Sequence, residues 1–143
     1  MSEKAKAIVT QFFEGVCNNR NLPLADRLFS TDHVYHDPSS PWVGRGPKGM
    51  KDLVSNYQTA FPDAHWKIED TIDEGNIVVT RWTGTGTQRG ELMGIAPTGN
   101  PVKVSGIWIH EFDGEKIIES WNVWDTFGMM QQLGVVFQFK EAS

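Results

Sequence analysis

The order of the hydrophobic patterns predicts an α+β fold, with helices first and a run of antiparallel strands after them. Residues 1–61 carry apolar side chains mostly at helical spacing. Beyond Pro62 the sequence changes to runs rich in Val, Ile, Thr and Trp, interrupted by Glu74-Gly75 and Asp113-Gly114. Those two turn signals divide the second half into hairpins.

Each element has its own signal. Ile8, Val9, Phe12, Phe13 and Val16 form one stripe of a first helix, with Ser2 placed to cap it and Asn18-Asn19 to end it. A short second helix is expected from Pro23 to Phe29, and a short strand from Val34 to Asp37, stopped by Pro38. Residues 39–46 have loop composition. Pro47 opens a third helix whose buried stripe is Met50, Leu53, Val54, Tyr57 and Phe61. Strands follow over Trp66–Asp73, Asn76–Thr87, Val102–Phe112 and Lys116–Trp124, and Gly84, Gly86 and Gly90 are expected to bend the second of them. Phe127–Leu133 reads as a last helical turn ending at Gly134. No repeat or linker interrupts the chain, so residues 1–143 read as one domain.

The final hairpin carries apolar residues on both faces. Val104, Trp108 and Phe112 alternate with Ile107 and Ile109 on its first strand. On its second, Ile118 and Trp124 fall on one face and Ile117, Trp121 and Val123 on the other. A strand apolar on both faces is covered on both. The helices cover one face, and a second copy of the chain is expected on the other, with Ile107, Ile109, Trp121 and Val123 as contacts.

Composition narrows the function. The 143 residues carry a formal charge of −5, which argues against a nucleic-acid surface. A single cysteine, Cys17, allows neither an internal disulfide nor a cysteine-based zinc site, and reads as a packed thiol. No run approaches the ~18 apolar residues of a membrane span. Met1-Ser2-Glu3-Lys4 does not open a signal peptide, so a cytoplasmic protein is expected. Six tryptophans are many for this length and point to an aromatic-lined cavity or a subunit interface.

The polar motifs are informative mainly in what they exclude. His33 and His36 fall on opposite faces of a strand, a poor chelate, so no metal is expected. His36-Asp37-Pro38 at a strand end instead suits an imidazole at a cavity mouth. Gly84-Thr85-Gly86 has Arg89 where a dinucleotide loop needs its third glycine, and no nucleotide or other cofactor is expected. Arg81, within an apolar strand, either points inward to a carboxylate or faces solvent.

Several stretches carry a family likeness. Arg81 to Gly99, Phe112-Asp113-Gly114-Glu115-Lys116-Ile117, Glu119-Ser120-Trp121-Asn122, Gln131-Gln132-Leu133-Gly134 and His36-Asp37-Pro38 resemble, in order, the SnoaL-like polyketide cyclase and ester cyclase family. The resemblance implies the α+β cone of the nuclear-transport-factor superfamily. There a curved mixed or antiparallel sheet packs on three N-terminal helices around a pocket, usually in a homodimer. In the cyclases a buried Asp on the last long strand acts as acid and base for an aldol closure, assisted by a His, a Gln and an Asn. Here the Asp position holds Asn122, the His position Trp108, the Gln position Gly106 and the Asn position about Tyr35, while Gln88 stands where a His often follows Gly-Thr. An amide is no base near neutral pH.

Register decides how these residues group. A three-residue loop at 113–115, which the resemblance favours, would set Trp108 opposite Ser120 and Gly106 opposite Asn122. Trp108, His110, Ser120, Asn122 and Trp124 would then share a face; a two-residue loop would break the grouping. The expected pocket takes a small, largely apolar organic molecule. Its walls are Trp82, Trp108 and Trp124, and Tyr35, Gln88, His110 and Ser120 are polar lining. His36, Asp37 and Asn122 are the candidates for chemistry. Three function classes remain open: a cofactor-free cyclase, isomerase or hydrolase; a non-catalytic binder; and a dimerisation module.

Overall fold

A computed structural model describes residues 2–138 and 140. Helix α1 (Ser2–Gln11) runs on without a break into a π-helical segment, Phe12–Asn18. The wider π turn lets Phe12, Phe13, Val16 and Cys17 all turn inward, where all four are buried. The Ser2 side chain, expected as a cap, lies outside the described residues. A 3-10 turn (Leu22–Leu24) and α2 (Ala25–Leu28) replace the single second helix expected over 23–29. Phe29 already belongs to β1 (Phe29–His36), which is twice as long as the Val34–Asp37 strand that the sequence suggested.

Helix α3 (Gly46–Ala60) is followed by β2 (His65–Glu74), β3 (Ile77–Thr87), β4 (Pro101–Asp113), β5 (Lys116–Trp124) and α4 (Thr126–Gln132). The sheet order is β1-β5-β4-β3-β2. β1 pairs parallel with β5 and every other pair is antiparallel, so the sheet is mixed, and it is open rather than closed. The helices bury one face of it. Asp125 caps α4, its Oδ1 accepting from Gly128 N–H at 2.8 Å, and this sets Met129 and Leu133 into a second apolar cluster with Phe61, Leu92 and Val102.

The last hairpin corrects the expected register by an instructive route. Its turn has two residues, Gly114 and Glu115, with Asp113 opposite Lys116. That loop alone would have separated the inner-face residues. Between Glu111/Glu119 and Phe112/Ile117, however, β5 carries an extra residue, Ile118, as a bulge. The bulge restores parity, and the final register sets Trp108 opposite Asn122, His110 opposite Ser120 and Gly106 opposite Trp124. It also moves Ile117 to the inner face, where it is fully buried, rather than beside Trp121 and Val123.

The outer face keeps Ile107 (49% exposed), Val123 (66%) and Ile72 (68%) at the surface. Arg81 lies on this face too. Its Nε and Nη2 both donate to Asp70 Oδ2 on the neighbouring strand, at 3.0 and 2.6 Å.

Candidate functional site

Inner-face alternation on three strands produces the site. β3 turns Val78, Thr80, Trp82 and Gly84 inward, β4 turns Val104, Gly106, Trp108 and His110 inward, and β5 turns Ser120, Asn122 and Trp124 inward. Glycine shapes this surface. A Cβ at Gly106 would lie 2.6 Å from the Trp82 ring and 2.7 Å from Trp124 Cβ, so the Trp82 indole lies directly against the backbone of the next strand. A Cβ at Gly86 would lie 2.9 Å from Phe61 Cβ.

Beside these residues is a cleft of about 640 Å³, counting the open space at its mouth. Trp66, Trp82, Trp108 and Trp124 line it together with Leu53, Val54 and Tyr57 of α3, Cys17 of the π segment and Met129 of α4. Asn122 is the lining residue with the richest set of internal partners. Its Nδ2 donates to Tyr35 Oη at 3.0 Å, and its Oδ1 accepts from Trp82 Nε1 at 3.3 Å. Tyr35 in turn donates to Asp37 Oδ2 at 2.6 Å, and Asp37 Oδ1 accepts from Ser39 N–H and O–H. Burial, reinforced by the Asp37 charge, holds the Tyr35 phenol far above its usual range, so it remains a donor. Burial also pushes Tyr57 up to about 12 and raises the Cys17 thiol well above a free cysteine.

The remaining expected site residues fall elsewhere. His36 does not reach the cleft. Tyr35 points inward, so its neighbour must point outward, where His36 Nε2 meets Glu119 Oε2 at 2.6 Å and the ring stacks on Trp121. Gln88 is fully buried but outside the cleft lining. β3 ends at Thr87, and the Gln88 amide is spent inside the next loop, donating to Gly90 O and Ile95 O and accepting from Thr98 N–H and O–H. His110 and Ser120 share the inner face with Asn122 but lie beyond the cleft. Ser120 Oγ meets His33 Nε2 at 2.8 Å, and His110 stacks on Trp108 with neither ring nitrogen partnered among the described residues. Burial lowers His33 to about 4 and His110 to about 3, so both rings are neutral. Among the described residues, no three His, Cys, Asp or Glu side chains converge as metal ligands.

Sequence reasoning missed Cys17, Tyr57, Trp66 and Met129 as lining residues. Cys17 and Tyr57 read only as packed positions and Trp66 only as the start of a strand, and nothing local separates a core position from a cleft wall.

An open mixed sheet with helices on one face and an aromatic cleft beside it is an α+β fold of the nuclear-transport-factor type. The family model for SnoaL-like polyketide cyclases matches residues 7–133, and the chain belongs to that family. Among solved structures, a candidate polyketide cyclase from Acidithiobacillus ferrooxidans is 35% identical with a TM-score of 0.81, over 92% of this chain and 94% of that one. A candidate polyketide cyclase from Streptomyces antibioticus is 27% identical with a TM-score of 0.79, covering 92% and 99%. A candidate hydroxylase from Streptomyces galilaeus is also 27% identical with a TM-score of 0.79, covering 94% and 97%. No curated protein matches the chain in sequence.

Proposed function

We propose that this protein binds a small, largely apolar organic molecule in the tryptophan-lined cleft without a cofactor. The observation that carries the reading is the lining itself: four indoles and an aliphatic wall around one buried amide, Asn122. Pockets for apolar ligands have this make-up, with few polar groups that orient the guest. The family's names point to polyketide-like substrates. At the position where the resemblance implies a carboxylate this chain has an amide, which favours binding over proton transfer. Titration of tryptophan fluorescence with naphthalene tests the reading. Saturable quenching that is lost in Val104→Trp, which fills the cleft, supports it; no quenching by any apolar aromatic overturns it.

One observation favours a catalytic alternative. Asp37 is a carboxylate two side chains from the cleft, hydrogen-bonded through Tyr35 to the lining residue Asn122. The reaction is proton exchange α to a carbonyl. Deuterium exchange into benzoylacetone, accelerated by wild type but not by Asp37→Asn, would replace the binder reading with the enzymatic one. We also read residues 1–143 as one cytoplasmic domain that pairs with a second copy through Ile107, Ile109, Trp121 and Val123, a reading supported by the exposure of Ile107 and Val123.

A further inference from the structure

We infer that Gln132 sets the size limit of the cleft by latching α4, the wall that carries Met129, to the free edge of β4. This rests on the small-molecule reading above and adds the residue that decides how large a guest the cleft takes.

β4 outruns one of its partners. Its last pair with β5 is Gly106 with Trp124, whereas β3 accompanies it as far as Pro101. Residues 101–105 therefore have a strand on one side only. Ser105 O accepts from Asp125 N–H at 3.0 Å, so residue 105 points its main-chain groups to the open side. By alternation residue 103 does the same. Main-chain groups left unpaired at a strand edge are a template for another strand. Here Gln132 fills that place. Its Oε1 accepts from Lys103 N–H at 2.7 Å, and its Nε2 donates to Lys103 O at 3.0 Å. A primary amide presents an acceptor and a donor side by side, the pair that a strand residue would present.

The latch holds a helix that little else holds. α4 has seven residues, and Met129 is the one of them that is buried. Leu133, just past its end, is the other apolar anchor. α3, by contrast, buries seven of its fifteen residues. Polar ties fix α4 at its two ends: Asp125 to Ser105 at the start, and Gln132 to Lys103 at the finish, where Asn100 Nδ2 also donates to Gln132 O at 3.2 Å. Gln132 itself is exposed, so water competes for its bonds. Few buried apolar contacts and exposed hydrogen bonds mark a segment that moves at small cost.

Moving α4 off β4 would open one side of the cleft. Met129 lines it together with Val102 and Val104, the two neighbours of Lys103. A guest that fits beside Met129 leaves the latch closed. A larger guest binds only the form in which α4 has moved, and its apparent affinity is reduced by the fraction of that form. The stretch Gln131-Gln132-Leu133-Gly134 thereby divides its work. Gln132 latches, Leu133 anchors, and Gly134, at φ +86°, turns the chain out of the helix. Gln131 is exposed and makes no side-chain hydrogen bond among the described residues. Gln132 is a positioning residue: it acts on the guest through Met129.

The test titrates quinoline and acridine, two and three fused rings with one ring nitrogen each, by tryptophan fluorescence at pH 7.5. Gln132→Ala should tighten acridine binding about tenfold, the value of one net hydrogen bond, and leave quinoline within about threefold. Gln132→Met keeps the side chain's length and remains a good helix former, so it should match Gln132→Ala; Gln131→Ala should match wild type. Amide hydrogen exchange reads the latch with no guest present. The Met129 and Leu133 N–H groups should exchange about tenfold faster in both Gln132 variants, with β3 amides unchanged. Equal changes for the two guests, or none, would overturn the size limit and leave the pocket reading standing. Unchanged exchange at Met129 and Leu133 would overturn the latch itself. If wild type binds neither guest, the pocket reading falls and the size limit falls with it.

Discussion

The inner face of the sheet has two ends built from the same strands, and they behave in opposite ways. At one end His33, His110, Ser120, Phe112 and Ile117 pack against Phe12 and Phe29 until no side chain there is exposed. At the other, Gly84, Gly86 and Gly106 replace side chains, and the space they leave is shared among the Trp82 ring, Phe61 and a cleft. The first end is closed yet polar, with His33 Nδ1 and both His110 nitrogens unpartnered among the described residues. The second is open yet almost wholly apolar. A buried histidine pair makes stability depend on pH, whereas missing Cβ atoms make room without adding charge.

The largest expected effect breaks the closed end. Unfolded histidines titrate near 6.5, whereas His33 and His110 hold folded values of about 4 and 3. Between those values the unfolded chain binds protons that the folded one refuses. Stability is therefore complete above about pH 6.5 and falls as pH drops toward 3, by on the order of 3–5 kcal/mol for each ring. Urea midpoints measured from pH 7.5 to 4 check this, and His110→Phe should flatten the slope while leaving binding at the open end unchanged. A flat profile in wild type would contradict the buried neutral pair.

The glycine end breaks differently. Gly106→Ala drives a methyl to within 2.6 Å of the Trp82 ring and should cost about 1–3 kcal/mol with no new pH dependence. Thermal unfolding at pH 7.5, with naphthalene quenching as the second readout, should show both stability and cleft affinity falling.

Asn122→Asp probes the border between the two ends. Its new oxygen would face Tyr35 Oη, whose proton is already given to Asp37, so the new carboxyl is held protonated. A raised folded pKa makes the cost appear as pH rises above the unfolded value of about 3.9, reaching roughly 1–3 kcal/mol near neutrality. The gap between variant and wild-type urea midpoints should narrow toward pH 4. A gap of constant size would point to lost packing instead.

The smallest effect on the fold is expected on the opposite face. Val123→Lys changes an exposed residue and should move monomer stability by less than about 0.5 kcal/mol. If the outer face pairs two copies, sedimentation will show wild type as a dimer and the variant as a monomer. Both inner-face ends should keep their properties.

Much of this contrast was legible in advance. The helix-then-strand order, the helical stripe through Phe12, Phe13 and Val16, and the inward set of Trp108, His110, Ser120, Asn122 and Trp124 follow from periods of 3.6 and 2, which are local properties of the chain. The motifs around Arg81–Gly99 and Asn122 carried the family. The fates of His36 and Gln88 were not legible. The first depended on which phase of β1 faces the helices, and the second on how the loop after Thr87 folds around the Gln88 amide.

Local periodicity also left open how the strands meet. The inner set survived a two-residue turn only because Ile118 bulges, and no residue near the turn announces that bulge. The chain from Asp37 through Tyr35 to Asn122 joins Tyr35 to a residue 87 positions away in sequence, and it exists only because β1 pairs in parallel with β5. Alternation within a strand is set by its own backbone and can be read residue by residue. Register and strand neighbours are set by packing the whole sheet against the helices, so they were decided only by the tertiary structure.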